Sequence, residues 1–350
     1  MSNKLYSTVI IASIILLASA ALPAWAQGPT GGGTLVRDIV GGAELIFRSP
    51  DNPSLHDTSA AERGSIGGGK VTGRHPTRTP PTRAQDQIIA KGNAARSAAK
   101  PRFAEAEQQY QLAAKVAPDD ARAFAGLGNI YVDQGRFAEA VDAYKQAIKI
   151  QPDYKAAYMP LAFSLSRLDK YPEAIEIYLQ TLKLDPANPE VYNNLGFAYN
   201  HAERYLEAVE VCKQAIKLLG ATGEAYSQGF QERSEVLSHA YKNLGNAYNG
   251  LKRYEEAAEA LKQATVIEPT NAAAHFNLGL TLYSAGRYSE AIEAYKQVIK
   301  LRPTLAQAHF NLGLTYYAVH DQTAAMAEYD SLKSINADLA SQLYNAIKNR

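Results

Sequence analysis

The sequence contains a single cysteine, and this excludes several classes of protein. One thiol, Cys212, cannot form an internal disulfide. Zinc-binding and redox motifs need cysteines in pairs or clusters, so neither kind of site is expected. We interpret Cys212 as a buried packing residue, because an unpaired cysteine behaves as a small apolar side chain. The fold must therefore be stabilised by side-chain packing alone.

The sequence also lacks an excess of charge of one sign and lacks recognisable catalytic motifs. Its formal net charge is +1, so no overall attraction to nucleic acid is expected. It has no G-x-S-x-G, no H-E-x-x-H and no phosphate-binding Gly-Lys-Ser/Thr loop. His201 and His239 are too few to form a metal site by themselves. We predict that the chain is not an enzyme and needs neither a cofactor nor a metal.

The first 26 residues have the layout of a secretory signal peptide. Lys4 is followed by an apolar run from Val9 to Leu17 and then by small residues ending in Ala24-Trp25-Ala26. This order predicts export and cleavage after Ala26, leaving the chain periplasmic or secreted. The alternative is an uncleaved membrane anchor. No later stretch is long and apolar enough to cross a bilayer, so no transmembrane segment is predicted after processing.

Residues 27–83 are rich in glycine, proline and arginine, and we predict a mostly disordered linker there. The apolar segment from Thr34 to Phe47 could form a short hairpin across Gly41-Gly42. The basic stretch Arg63–Arg83 is interpreted as part of a flexible spacer. The alternative is a weak contact between that stretch and an acidic surface, such as an envelope lipid or a polyanion.

From residue 87 onward the sequence repeats itself. Pro118, Pro152 and Pro186 are 34 residues apart, and Leu-Gly pairs recur in phase with them. The interval from Pro186 to Pro269 is 83 residues, which exceeds two periods by 15 and indicates an insertion. The predicted units span residues 87–120, 121–154, 155–188, 189–222, 238–271, 272–305 and 306–337, with the insertion at 223–237 and a cap helix at 338–350.

Each unit is predicted to form two helices, as residues 121–154 illustrate. Leu127 and its neighbours three and four residues away give the first helix one apolar face. Gly135 is expected to end that helix in a left-handed conformation. Tyr144 lies on the apolar stripe of the second helix, which Pro152 stops. Gly128 is small, so the two helices can approach closely, and neighbouring units must stack to bury their faces.

This pattern, aromatic-x2-L-G-x2-Y followed by A-x3-F and a proline at period 34, resembles the tetratricopeptide repeat. The resemblance implies an all-α fold: a right-handed α-α superhelix (TPR solenoid) of seven helical hairpins plus the C-terminal cap helix. Two units depart from it. The first has Asn93-Ala94 in place of Leu-Gly, and the third has Pro160 inside its first helix, where a kink is expected.

The resemblance also implies a concave groove lined by the first helix of each unit, at positions 2, 5, 6, 9, 12 and 13 counted from the start of the unit. At position 6 the last four units carry an asparagine, which resembles a ladder that grips the backbone of an extended peptide; these residues are Asn194, Asn243, Asn277 and Asn311. An amide can both donate and accept, so it can pair with a peptide group whatever the side chain. The alternative is that these amides only satisfy neighbouring backbone groups.

Two further groups of residues are assigned to the groove. Lys242 and Asn246, with Asn277, match part of the carboxylate clamp that some members of the family have. Gln307 and Asn311 stand where that clamp has further basic residues. Phe276, Phe310 and Tyr317 are predicted to anchor apolar side chains of a ligand. The alternative for these aromatic residues is packing against neighbouring helices.

Together these features predict a non-enzymatic adaptor or scaffold of the cell envelope that holds a protein or extended peptide in its groove. One alternative is a self-associating structural module. The other is an arm that recruits substrates for an enzyme complex.

Overall fold

The computed structural model of the chain describes residues 83–98, 100–220 and 230–348. The predicted signal peptide, the Thr34–Phe47 hairpin, the basic stretch up to residue 82 and residues 223–229 of the insertion lie outside these ranges. Within them the chain forms only helices and no strand. The helices are α1 (Arg83–Arg96), α2 (Phe103–Val116), α3 (Ala121–Asp133), α4 (Phe137–Ile150), α5 (Lys155–Arg167), α6 (Tyr171–Leu184), α7 (Pro189–His201), α8 (Tyr205–Gly220), α9 (Phe230–Gly250), α10 (Tyr254–Ile267), α11 (Ala272–Ser284), α12 (Tyr288–Leu301), α13 (Ala306–Ala318), α14 (Gln322–Ile335) and α15 (Ala337–Lys348).

The described residues divide into two compact units, with the division inside α7 between Ala198 and Tyr199. In the N-terminal unit, α1 to α6 pack each against the next, and α3 also contacts α1 and α5. In the C-terminal unit, α8 to α15 pack in the same way, and α9, α11, α13 and α15 contact one another in sequence. Within each unit, first helices therefore touch the first helices of their neighbours. The prediction of an all-α repeat fold is confirmed.

Small residues on the first helices make room for large residues on the second. A Cβ added to Gly279 would lie 2.6 Å from the ring of Tyr295, and one added to Gly245 would lie 2.5 Å from Leu261. Both large side chains are at most 1% exposed. At Gly245 and Gly279, position 8 of their units, the second helix approaches too closely for a Cβ unless the packed side chain moves, whereas the third unit has Ala162 at this position.

The first helix of a unit ends with one left-handed residue at position 15. Gly135 has φ 73°, as predicted, and Gly286 has φ 75°. Four units place a residue with a side chain there instead: Asp169, Glu203, Lys252 and His320. The amide of the following residue donates back to the carbonyl of position 11, as in Arg253 to Tyr248 at 2.9 Å. This arrangement satisfies a carbonyl at the helix end and turns the chain into the second helix.

In three units the side chain at position 4 fastens the first helix to the loop before it. Tyr158 donates its hydroxyl to the carbonyl of Pro152, and Nε2 of His275 lies 3.1 Å from the carbonyl oxygen of Pro269. Burial lowers the pKa of His275, so this imidazole is neutral at pH 7. Nε2 of His309 likewise lies 2.9 Å from the carbonyl oxygen of Pro303, so tyrosine and histidine perform the same role, whereas position 4 of the second unit is Phe124, which has no polar group.

The proline in the third unit does not end its helix. α5 runs from Lys155 to Arg167 with Pro160 inside it. The carbonyl that loses a donor belongs to Ala156, which is exposed, so water can replace the missing amide. Pro160 itself is buried against the neighbouring helices.

The insertion lengthens the helices that flank it. α8 has 16 residues and α9 has 21, whereas α10 has 14 and α11 has 13. α9 therefore begins inside the predicted insertion and runs through the first helix of the fifth unit without a break. Arg233, in this added part, donates to the carbonyl of Leu219 at 2.8 Å and ties α9 to the end of α8.

The last helix, α15, covers the end of the C-terminal unit. Its buried residues Ala340, Leu343 and Ile347 form one face. Leu343 lies where a Cβ on Gly313 would be, at 2.5 Å. The cap helix therefore packs on α13 in the way that a second helix packs on glycine in the earlier units.

Cys212 lies fully inside α8 and is completely buried. Burial raises the pKa of its thiol far above neutral pH, so it is not a thiolate there. The interpretation of Cys212 as a packing residue is confirmed.

Candidate functional site

The candidate site is the surface made by the first helices of the last three units. We call it the first-helix wall and define it as residues 236–250 of α9 with all of α11 and α13. These helices contact one another in that order. The wall contains no aspartate or glutamate, whereas the second helices α10 and α12 carry several, among them Glu255, Glu256, Glu290 and Glu293. In these three hairpins the acidic side chains therefore lie mainly on the second helices, and Glu235 stands on α9 just before the wall begins.

The wall contains one lysine, Lys242, and three histidines, His239, His275 and His309. Lys242 is 0% exposed and His239 is 5% exposed. Removing an ammonium group from water costs several kcal/mol unless hydrogen-bond acceptors surround it. The ammonium group of Lys242 is therefore part of the interior of the wall.

Amide side chains connect the helices of the wall. Nδ2 of Asn200, at the end of α7, donates to the carbonyl of Asn243 at 2.8 Å. Nδ2 of Asn277 donates to Oδ1 of Asn246 at 2.9 Å, and Nδ2 of Asn249 donates to Oγ1 of Thr281 at 2.7 Å. These bonds join α7 to α9 and α9 to α11. The sequence prediction included three of these residues but missed Asn200, Asn249 and Thr281.

Three atoms of this network are buried without a hydrogen-bond partner among the described residues. They are Oδ1 of Asn200, Nδ2 of Asn246 and Oδ1 of Asn249. Asn200 is 9% exposed. A buried polar group left unpaired costs about 1–3 kcal/mol, so most such groups in native proteins have partners. Two acceptors and one donor of the wall therefore have no hydrogen-bond partner among the described residues.

The other predicted ladder residues are placed differently. Asn194 lies in the N-terminal unit, is fully buried and accepts a hydrogen bond from Asn193 at 3.2 Å. Asn311 is half-buried on α13, and its carbonyl accepts from Oγ1 of Thr315 at 2.6 Å. The structure therefore joins Asn246 directly to Asn277 and the backbone of Asn243 to Asn200, while the ladder of four asparagines stays a prediction.

The predicted aromatic anchors separate into two kinds. Phe276 is 2% exposed and meets the ring of Tyr295 edge-on at 5.9 Å between centroids. Its assignment to ligand binding is corrected, because it belongs to the core between α11 and α12. Phe310 and Tyr317 are half-buried and pack over the cluster formed with α14 and α15. They keep an exposed edge on the wall.

Neither a metal site nor a membrane-spanning helix is found among the described residues. No group of three or more histidine, cysteine, aspartate or glutamate side chains is arranged to hold a metal ion in that part of the chain. Of the helices between residues 83 and 348, none has the length and apolar character needed to span a bilayer.

Two families of helical repeat match this chain, and the matched ranges follow its helical hairpins. A family model described as TPR repeat matches residues 128–169, 167–200, 245–286 and 280–319. A second model, described as tetratricopeptide repeat, matches residues 190–220. The chain contains tetratricopeptide repeats. The matched ranges include α11, α13 and residues 245–250 of the first-helix wall, so these parts of the wall are first helices of such repeats.

Solved structures share this tetratricopeptide fold at low sequence identity. A tetratricopeptide repeat protein from Parabacteroides merdae is 16% identical, with a TM-score of 0.55, covering 75% of this chain and 98% of that one. PilF from Pseudomonas aeruginosa is 22% identical, with a TM-score of 0.52, covering 65% and 97%. The Cut9–Hcn1 structure is 18% identical, with a TM-score of 0.53, covering 88% of this chain and 51% of its own. No curated protein matches the sequence.

Proposed function

We propose that the chain is a non-enzymatic adaptor that holds an extended segment of a partner protein along the first-helix wall. The observation that carries this proposal is the amide network with its three unused atoms on Asn200, Asn246 and Asn249. A peptide in extended conformation presents amide donors and carbonyl acceptors at regular intervals, which matches two acceptors and one donor on neighbouring helices.

The expected affinity is modest and tolerant of sequence. Each hydrogen bond from the network contributes about 0.5–1.5 kcal/mol net. Because the bonds go to the peptide backbone, they do not depend on side-chain identity. Selectivity comes instead from Phe310 and Tyr317, whose exposed edges can receive apolar side chains.

The setting of this adaptor is the cell envelope. The signal-peptide pattern of residues 1–26 supports export, with the mature chain beginning at Gln27. The likeness to Cut9, which the structure's description places in a hetero-tetramer with Hcn1, is in keeping with a role in assembling complexes. The basic stretch Arg63–Arg83 would add a weak contact with an acidic surface of the envelope.

The test uses a double variant that removes both ends of one hydrogen bond. Asn246→Ala with Asn277→Ala deletes the amide pair of the wall, and removing both partners together leaves no unpaired group from that bond. The probe is a fluorescent 12-residue peptide selected on the unaltered chain from a random library. We expect at least about fivefold weaker binding in fluorescence anisotropy, which corresponds to the loss of one net hydrogen bond.

The matched control is Asn345→Ala, which removes an exposed amide from the cap helix. It should bind the probe as the unaltered chain does. Equal binding by the double variant, with an unchanged far-ultraviolet circular-dichroism spectrum, would remove the amide network from the proposal.

A further inference from the structure

The first repeat, formed by α1 and α2, exposes two apolar side chains at places where later repeats do not. Leu112 is 44% exposed and Val116 is 51% exposed. At the place of Val116 the later repeats have half-buried apolar residues, as with Ile150 and Leu184. At the place of Leu112 the next five repeats all carry glutamine: Gln146, Gln180, Gln214, Gln263 and Gln297. Two exposed aliphatic side chains one helical turn apart mark a surface that another element can cover.

Leu112 and Val116 point away from the second repeat. Glu107 marks the side of α2 that faces that repeat, because it accepts hydrogen bonds from the hydroxyl of Tyr131 at 3.3 Å and from Nη1 of Arg136 at 3.0 Å. Leu112 and Val116 follow Glu107 along the same helix at a rotation of about 140° and about 180° around its axis. They therefore lie on the outer side of the first repeat, where no described repeat precedes it.

One basic side chain of α1 lies on the same outer side. The carbonyl of Ala95 accepts the amide that follows the turn at 2.9 Å, as the carbonyl of Tyr131 does at 2.7 Å in the second repeat. By this alignment Lys91 stands where the second repeat has Leu127. Leu127 is buried in a cluster with Tyr110 of the preceding repeat, whereas Lys91 is exposed. We call Leu112, Val116 and Lys91 the outer edge.

We propose that the outer edge is covered by this chain's own Thr34–Phe47 segment, which acts as an N-terminal cap of the repeats. At the other end of the described helices, α15 covers the last repeat in this way. Stacked repeats need a terminal element that buries the apolar face of the end repeat and turns a polar face to water. The inference does not depend on the proposed function, because the outer edge lies in the N-terminal unit and the first-helix wall in the C-terminal unit.

The apolar residues that precede the repeats are concentrated in this segment. Seven of the 14 residues of Thr34–Phe47 are leucine, isoleucine, valine or phenylalanine, whereas the 35 residues from 48 to 82 contain three. The segment has two carboxylates, on Asp38 and Glu44, and one basic side chain, on Arg37. Its net charge is thus opposite to that of Lys91. Apolar content and charge therefore select the same segment.

The chain enters the first repeat beside the outer edge. Nε2 of Gln85, near the start of α1, donates to Asp120, and the amide of Asp120 donates to the carbonyl of Ala117 at 3.2 Å. Ala117 directly follows Val116, so the start of α1 lies next to the end of α2 that carries Val116. A flexible chain of 35 residues has a root-mean-square span of about 30 Å and holds a tethered ligand at an effective concentration in the millimolar range. Modest apolar contact is then enough for occupancy.

Disulfide trapping in the chain from Gln27 to Arg350 tests the contact directly. Phe47→Cys is combined with Leu112→Cys, and the control combines it with Gln111→Cys, at the adjacent exposed position of α2. Cys212 is completely buried, so it does not compete. Under mild oxidation we expect the first pair to form an intramolecular disulfide at least about fivefold faster than the control pair, because a bound segment favours one side of the helix. Equal rates would overturn the proposal.

Limited proteolysis measures how firmly the segment is held. Leu112→Gln introduces the residue that the next five repeats carry at this place, so it removes apolar contact at a position where glutamine suits the fold. Tryptic cleavage after Arg37 and Arg48, in and beside the segment, should become about fivefold faster, because the released fraction rises. The matched control is Leu179→Gln, which changes a leucine of 42% exposure on α6 and should leave cleavage unchanged. Equal rates in Leu112→Gln and the unaltered chain, or equal acceleration in both variants, would contradict the contact.

A change in the segment examines the same contact from its other side. Ile46→Ser with Phe47→Ser should also speed cleavage after Arg37 and Arg48, and adding Leu112→Gln should raise the rate by less than the product of the two separate effects. An effect equal to that product would mean that the two changes act on separate contacts and would overturn the proposal. Light scattering should show a monomer. A dimer that Leu112→Gln dissociates would show that a second copy covers the outer edge in place of the segment.

Discussion

Gly128 lies directly beneath the ring of Tyr144, and a Cβ at that position would come within 2.6 Å of the ring atom Cε1. Tyr144 is 0% exposed and donates its hydroxyl to Oδ1 of Asn129 at 2.7 Å, so the ring is held from both sides. The two helices of this hairpin therefore pack closely, because Gly128 on one helix leaves space that the ring of Tyr144 on the other helix fills.

Replacing this glycine should destabilise the protein despite the better helix propensity of alanine. Gly128→Ala gains up to about 1 kcal/mol from propensity but forces a buried ring to move, which costs about 1–3 kcal/mol. We expect a net loss of about 1 kcal/mol, measured by urea unfolding followed by circular dichroism. Gly220→Ala is the control, because no atom lies within 4 Å of its added Cβ. Gly128→Ala at least as stable as the unaltered chain would contradict the close-approach argument.

Replacing a residue that has a side chain and a left-handed backbone conformation at position 15 by glycine should stabilise the fold. Lys252 has φ 59° and its side chain is exposed, so no described contact is lost by removing it. Lys252→Gly should stabilise the fold by about 1 kcal/mol, because a side chain is strained in this region. Gly286→Ala makes the reverse change at the same position of the next unit, where φ is 75°. It should lower the unfolding midpoint. Changes of the same sign in both variants would refute this account of the turn.

Acid sensitivity should depend on an ion pair between units. Hydrogen bonds from Arg287 and then from Lys262 lower the pKa of Glu290 to about 2. A carboxyl whose folded pKa lies below its ordinary value of 4.5 stabilises the fold above that pH, and the contribution is lost between about pH 4.5 and pH 2. Because the pair is exposed, Glu290→Gln should cost less than about 1 kcal/mol at pH 7.

Melting temperatures at several pH values check this prediction. The difference between the unaltered chain and Glu290→Gln should be largest at neutral pH and vanish near pH 2. It should also shrink in 1 M salt, because salt screens exposed charges. A difference in melting temperature that grows as the pH falls would contradict a stabilising role of the ionised Glu290.

The cap helix should contribute to the stability of the last repeat. Leu343 is fully buried, so Leu343→Ala should leave a cavity and destabilise by about 2–5 kcal/mol. Because stacked repeats stabilise their neighbours, the loss should be seen in α13 and α14 by hydrogen exchange. Gln342→Ala, at the adjacent exposed position, is the matched control. Unaltered protection of α13 in Leu343→Ala would show that the cap is dispensable.

Much of the fold was predictable because its signals are local and periodic. The apolar stripes indicated paired helices, and Gly135 marked a helix end in the expected left-handed conformation. Asp169 and Glu203 adopt the same conformation without being glycine, which sequence chemistry alone does not indicate. The insertion was signalled by the 83-residue interval between Pro186 and Pro269, and it lengthens the flanking helices α8 and α9 as such an insertion between two helices can.

The candidate site was less predictable, because hydrogen bonds between repeats depend on packing. Position 6 indicated Asn243 and Asn277, and the clamp resemblance indicated Asn246, but neither pattern indicated Asn200. Thr281 gave no functional signal, yet it accepts a hydrogen bond from Asn249. Phe276 was misassigned because core and groove aromatic residues alternate on the same helix. Export, the superhelix handedness and the number of hairpins stay predictions.

Hydrogen exchange with and without the library-selected peptide tests the central claim most directly, because it locates the bound segment on the helices. We expect the bound peptide to slow amide exchange in residues 236–250, α11 and α13, and to leave exchange in α10, α12 and α14 unchanged. Protection confined to the second helices, or spread evenly over both kinds of helix, would contradict binding at the first-helix wall.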